Sequence, residues 1–142
     1  FHDTGKLKME VNYDNGVLTG QFIKYYRNGK KQESCYYKEG MKDGKSIWFF
    51  ENETISIEYP YEMGKINGIA KTFYSDGSLK SESTYLNNEL NGEEKSYYNS
   101  KMLKTKGFYK NGKKEGKWYT YDESGAVIEI NKYKNGVKKW KE

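Results

Sequence analysis

The chain holds one histidine, His2, and one cysteine, Cys35, so the residues most often used as base, thiol nucleophile or zinc ligand occur once each. A Ser-His-Asp or Cys-His relay would have to run through His2, at the very start of the sequence, and a zinc cage lacks its ligands. Asp and Glu number 20, but adjacent Glu93 and Glu94 point to opposite faces of a strand. Glu10, Glu58 and Glu82 recur as a column expected on the solvated face. No GxxxxGK[ST] or GxGxxG run is present to cradle a phosphate. The sequence therefore predicts no catalytic residues, no metal and no cofactor, and a protein that is not an enzyme.

Lysines and aromatic rings are the side chains left to carry a function. The net charge of +5 is uneven, because residues 101–142 hold twelve Lys against five acids while residues 1–100 are slightly acidic. Lys110, Lys113, Lys114, Lys134, Lys138 and Lys139 are the candidate anion-binding residues, suited to a lipid headgroup or an acidic partner. Nucleic acid is the weakest partner class, since Arg27 is the one arginine and base recognition leans on arginine. Aromatics make up 17% of 142 residues, which sets an ordered chain apart from a disordered one despite a mean hydropathy of -1.10. No apolar run approaches the roughly 20 residues that span a bilayer as a helix. One cysteine fits a reducing cytoplasm and equally a cysteine-poor secreted or cell-surface protein, so the compartment stays open.

The elements that must position these groups follow from an internal repeat. Tyrosine recurs every 24 residues at Tyr13, Tyr37, Tyr61, Tyr85, Tyr109 and Tyr133. Gly16, Gly40, Gly64, Asn88, Gly112 and Gly136 follow three residues behind, and Gly20, Gly44, Gly68, Gly92 and Gly116 four further on. A third column reads Gly5, Gly29, Glu53, Gly77, Lys101 and Gly125, which leaves Gly107 alone outside the three. Between the glycines lie strand formers, as in Lys117 to Tyr121, and turn formers, as in Asp122 to Gly125. Each unit is thus a β-hairpin. The fold class is all-β, an elongated antiparallel array of about six 24-residue hairpin units and roughly a dozen strands, forming one domain over residues 1–142. Phe1 already occupies a mid-unit position, so the array is expected to open halfway through a hairpin, truncated at its N-terminal end.

Period-two alternation, as in Leu7, Met9, Val11 and Tyr13 or Ile55, Ile57, Tyr59 and Tyr61, predicts one apolar and one polar face. The tyrosine column and a second ladder of Phe1, Tyr25, Phe49, Phe73, Tyr97 and Tyr121 are both expected in the core. Cys35 should point into the same apolar face as Tyr37. Tyr26, Phe50, Tyr74 and Tyr98 directly follow ladder rings and should emerge on the far face. There, with Tyr36, Trp48 and Phe108, they form the candidate partner-binding stripe. Trp140 replaces a column glycine and is expected to cap the last hairpin, leaving the N-terminal edge open to weak self-association.

The fifth unit, Tyr109 to Gly125 (YKNGKKEGKWYTYDESG), resembles the bacterial variant of MORN repeats, and the resemblance extends over essentially the whole chain. Departures at Glu53, Asn88 and Lys101 touch turn positions and leave the tyrosine column intact. The resemblance implies a single, curved antiparallel sheet acting as a scaffold or binding module, in a family associated with membrane lipids, protein interactions and dimers. The function expected is a non-catalytic scaffold presenting an aromatic and basic surface to a protein partner. The alternative is peripheral binding of anionic lipid headgroups through the lysine-rich last third.

Overall fold

Turn chemistry sets the architecture. In a computed structural model that describes residues 1–140, six turns recur at Asn15-Gly16, Glu39-Gly40, Met63-Gly64, Asn87-Asn88, Asn111-Gly112 and Asn135-Gly136. Both central residues have positive φ, 46–51° at the first and 71–83° at the second. That is type I′ geometry, whose twist matches that of the flanking strands and closes a two-residue hairpin. A second set of turns carries one left-handed residue, at Gly5, Gly29, Glu53, Gly77, Lys101 and Gly125. Side-chain acceptors fold several of these: Asp76 Oδ1 accepts the Ser78 N–H and Asp122 Oδ1 the Ser124 N–H, each at 2.9 Å.

The strands are β1 (Met9–Glu10), β2 (Tyr13–Asp14), β3 (Val17–Leu18), β4 (Gly20–Tyr25), β5 (Lys31–Lys38), β6 (Met41–Lys42), β7 (Gly44–Phe49) and β8 (Ile55–Glu62). They continue as β9 (Lys65–Ile66), β10 (Gly68–Phe73), β11 (Leu79–Leu86), β12 (Glu89–Tyr97), β13 (Leu103–Lys110), β14 (Lys113–Tyr121), β15 (Val127–Lys134) and β16 (Val137–Lys139). One open antiparallel sheet follows the order β1-β4-β5-β7-β8-β10-β11-β12-β13-β14-β15-β16. The twelve strands of that path match the dozen expected from the repeat. β6 and β9 add to β5 and β8, while β2 and β3 make a separate ribbon.

Backbone bonds join one repeat to the next along the line of type I′ turns. The second turn residue donates its N–H to a carbonyl one repeat back: Gly40 to Leu18, Gly64 to Lys42, Asn88 to Ile66, Gly112 to Leu90 and Gly136 to Lys114, at 2.8–2.9 Å. On the tyrosine side of the sheet, register places Phe22 opposite Cys35, Ser46 opposite Tyr59, Ala70 opposite Ser83, Glu94 opposite Gly107 and Trp118 opposite Asn131. Rings at Phe22, Tyr59 and Trp118 are separated along this row by runs of smaller residues, which lets side chains interdigitate in a single layer. Cys35 is buried there, as expected, at 3% exposure.

The expected division into an apolar and a polar face is not what the structure shows. The ladder of Tyr25, Phe49, Phe73, Tyr97 and Tyr121 lies on the side away from the tyrosine column. Its Tyr97 hydroxyl donates to Glu82 at 3.0 Å, its Tyr25 hydroxyl donates to Glu10 at the same distance, and Tyr121 stacks on Tyr119. The register explains it: Gly20 opposes Tyr37, so alternation along β4 carries Tyr25 to the other side, past a bulge that recurs ahead of every ladder ring. A sheet with no second layer exposes two sides, and rings on both limit the apolar area left in water. Ladder rings are consequently half-buried, and in the first repeat Phe1 and Tyr13 are exposed. Among the described residues the buried apolar ones are Ile23, Cys35, Ala70 and Trp118. Trp140 stands exposed at 81% instead of folding over the last hairpin.

Glu53 and Lys101 adopt φ of 73° and 74° where the other units have glycine. A side chain costs roughly 1–2 kcal/mol in that region, offset in part by the freedom that glycine adds to the unfolded chain. Glu53→Gly and Lys101→Gly are each expected to gain ~0.5–1 kcal/mol in urea melts. Losses at both positions would mean that the side chains, not the backbone angles, hold these turns.

Candidate functional site

The seven aromatic residues of the expected stripe do not share a surface. Tyr26, Phe50, Tyr74 and Tyr98 sit where the strand has ended and the turn begins, so strand alternation does not apply to them. They are half-buried, and three of them bind forward into the next repeat. The hydroxyls of Tyr26, Tyr74 and Tyr98 donate to the carbonyls of Phe49, Tyr97 and Tyr121 at 2.6, 2.6 and 2.7 Å. Trp48 lies on the tyrosine face, opposite Glu33 and Ile57. Tyr36 and Phe108 are exposed on the other face, but six strand steps separate β5 from β13, about 29 Å.

The six candidate lysines are also divided. Lys114 opposes Tyr109 and Lys138 opposes Tyr133, which puts both on the tyrosine face. Lys110 opposes Lys113 and Lys139 opposes Lys132, which puts these on the far face together with Lys134. Two lysines that the sequence counted but did not single out complete the pattern. Lys117 opposes Lys132, which opposes Lys139, so three ammonium stems stand in one cross-strand row. Like charges directly opposite one another are destabilising. Among the described residues, no carboxylate forms an ion pair with any of the three. Exposed Ile128 and Ile130 lie alongside, and an open recess of about 840 Å³ is lined by Lys117, Ile130, Lys132, Lys134, Lys139 and Trp140. Lys141 lies outside the described residues.

The middle of the same face is built differently. Glu58 opposes Lys71, Lys71 opposes Glu82 and Glu82 opposes Lys95, so charges alternate across the strands. Where Lys95 meets Lys106, Glu93 reaches both, at 3.1 and 3.9 Å. Glu10 and Glu82 also accept the ladder hydroxyls, so this column is engaged and not merely solvated. The self-neutralised centre has little charge to offer a partner, and the lysine row has a great deal.

The tyrosine face carries a second constellation around Gly107. A Cβ there would lie 2.0 Å from the Trp118 ring, so the glycine is what admits the indole. Trp118 packs edge-on to Tyr109 and Tyr133 with centroids 5.1 and 6.4 Å away, and its Nε1 donates to the Phe108 carbonyl at 3.3 Å. Lys114 Nζ sits 4.5 Å from the indole centroid and 5.0 Å from that of Tyr133. Across Gly107 lies Glu94, half-buried, accepting from Ser83 Oγ at 3.2 Å. Burial holds the Glu94 carboxyl above its ordinary range, against the downward pull of the Ser83 hydrogen bond and the Lys114 charge. Sequence reasoning missed this group, although Gly107, out of step with every glycine column, was its one visible sign.

Elsewhere on this face, Lys42 binds buried Glu33 at 3.1 Å and lies 5.1 Å over the Tyr61 ring. Burial pushes the Cys35 thiol up to about 11, so it stays protonated at neutral pH and packs as a small apolar side chain.

Two outcomes test this packing. Gly107→Ala should cost about 3 kcal/mol by driving the indole out of place, read as a loss in denaturant melts. For Glu94, the raised value means that the folded state binds more protons than the unfolded chain just above the ordinary carboxylate range. Stability should therefore fall as pH rises through that window. Glu94→Gln should melt higher than the parent at neutral pH and alike at acidic pH; equal melting temperatures throughout would mean the carboxyl is solvated.

Comparison with protein families gives six matches to the MORN repeat variant model, over residues 1–15, 18–39, 42–63, 66–87, 90–111 and 114–135. No curated protein matches the chain.

Proposed function

We propose, from the premise that the chain belongs to the MORN repeat variant family, that it is a non-catalytic scaffold docking an acidic protein partner on the lysine row of its last hairpins. Repeats of this family are generally binding and scaffold modules. The observation that carries the reading is the in-register row of Lys117, Lys132 and Lys139, with no ion-pair partner among the described residues. Their mutual repulsion is relieved when an anionic surface covers them, so complex formation returns free energy that the free protein lacks. Exposed Ile128 and Ile130 alongside supply apolar area to the same contact.

A second reading has its own support. Exposed Trp140, with Lys138 Nζ 4.8 Å from its ring centroid, combines the aromatic and cationic groups that suit an anionic membrane surface.

The test compares binding of poly-glutamate and of phosphatidylserine vesicles by the parent and by a triple variant, Lys117→Gln, Lys132→Gln and Lys139→Gln. The protein reading expects salt-sensitive capture of poly-glutamate that the variant loses, while the variant melts no lower than the parent because a repulsion has been removed. Vesicle binding without poly-glutamate binding replaces the protein partner by the membrane. Binding of both probes by the variant as strongly as by the parent moves the site off the row.

A further inference from the structure

The constellation around Gly107 lies on the face away from the lysine row, and it has the parts of a cation receptor. Three rings, Tyr109, Trp118 and Tyr133, converge on one spot, with the indole edge-on to both tyrosines. The ammonium of Lys114 already rests against two of these rings, 4.5 and 5.0 Å from their centroids. Glu94 adds a half-buried carboxylate on the neighbouring strand, opposite Gly107, over which the indole packs. It accepts from the Ser83 hydroxyl and forms no ion pair with Lys114 among the described residues, and it lines the same recess as the rings. The recess holds about 220 Å³, lined by Glu94, Thr105, Tyr109, Lys114, Trp118 and Tyr133. A cavity of roughly 150 Å³ accommodates a benzene-sized guest, so a compact trimethylammonium group is within its capacity.

We infer that this recess binds a quaternary ammonium group, with the rings taking its methyl-coated charge and Glu94 opposing it. A ring quadrupole attracts a cation most strongly when both are desolvated, and a quaternary ammonium sheds its water more readily than a primary one because it donates no hydrogen bonds. Lys114 is then a tethered competitor: it occupies the ring faces in the free protein and swings out when a ligand enters. Neither the family match nor the anion-docking reading requires such a site, and the two faces can fail or succeed separately. A choline-type headgroup and a trimethylated lysine side chain share this chemistry.

The test follows the indole N–H resonance of Trp118, assigned by its loss in Trp118→Phe, while tetramethylammonium is added to the full chain. A saturable millimolar shift is expected, and 3,3-dimethylbutanol, the neutral isostere of choline, should shift it far less. Lys114→Met keeps the aliphatic stem and removes the competitor, so it should bind severalfold more tightly. Glu94→Gln should bind up to about tenfold more weakly. Choline and a trimethyl-lysine peptide, titrated in parallel, separate the two sources of the group. The inference is overturned if the Trp118 resonance stays fixed in both the parent and Lys114→Met, or if the neutral isostere moves it as far as the cation does.

Discussion

Each type I′ turn after the first donates an N–H to a carbonyl one repeat earlier, and the rest of the molecule depends on that bond. It ties turn to turn from Gly40 through Gly136, so the offset between successive hairpins is the same in each repeat. Near the opposite turns, the hydroxyls of Tyr26, Tyr74 and Tyr98 do the equivalent work by binding carbonyls of the next unit. With both margins pinned, the strands between them have one register available, and a one-residue slip would turn every side chain to the wrong face. Phe50, which has no hydroxyl, is the one member of that column able to contribute packing alone.

A single layer has to meet a demand that two-layered proteins meet with a core. No strand is covered by a second sheet, so apolar area is removed from water only by neighbours in the same layer. Hence the spacing of sizes along the tyrosine face, with rings at Phe22, Tyr59 and Trp118 separated by runs of smaller residues that include Cys35, Ser46, Ala70 and Gly107. Polar residues fill the gaps by pairing across strands, as the hydroxyls of Thr72 with Ser81 and of Ser96 with Thr105 do. Ser46 is the exception, fully buried with its hydroxyl unpartnered among the described residues. The same geometry makes function two-sided, since either face can receive a partner.

Charge follows the rule of the strands. In the middle of the far face acid and base alternate, and Glu93 bridges the one place where two lysines meet. At the last hairpins the alternation stops and three lysines stand in line. Keeping like charges adjacent costs stability, and a protein that could relieve this with one glutamate, as it does beside Lys106, leaves it in place. On the tyrosine face a carboxylate is held half-buried near rings that are already in contact with a cation.

Repeat period, hairpin units, open antiparallel architecture and strand count were all legible in the sequence, because glycine and asparagine at left-handed turns and alternation in strands are local rules. The buried place of Cys35 followed from its spacing to Tyr37. Side-chain partnerships across strands were not, because they depend on register. Placing both aromatic ladders on one face failed because Tyr25 and Tyr37 lie on different strands whose pairing through Gly20 and Tyr37 reverses the alternation. The aromatic stripe failed because Tyr26, Phe50, Tyr74 and Tyr98 have left the strand and alternation no longer governs them. The lysine row was within reach: the Asn135-Gly136 turn pairs Lys134 with Val137, and two steps back Lys132 meets Lys139. Composition counts charges but does not align them. The cation recess needed the folded chain outright, because Glu94, Gly107, Trp118 and Tyr133 come from four strands and only the tertiary structure stacks a glycine's missing side chain beneath an indole.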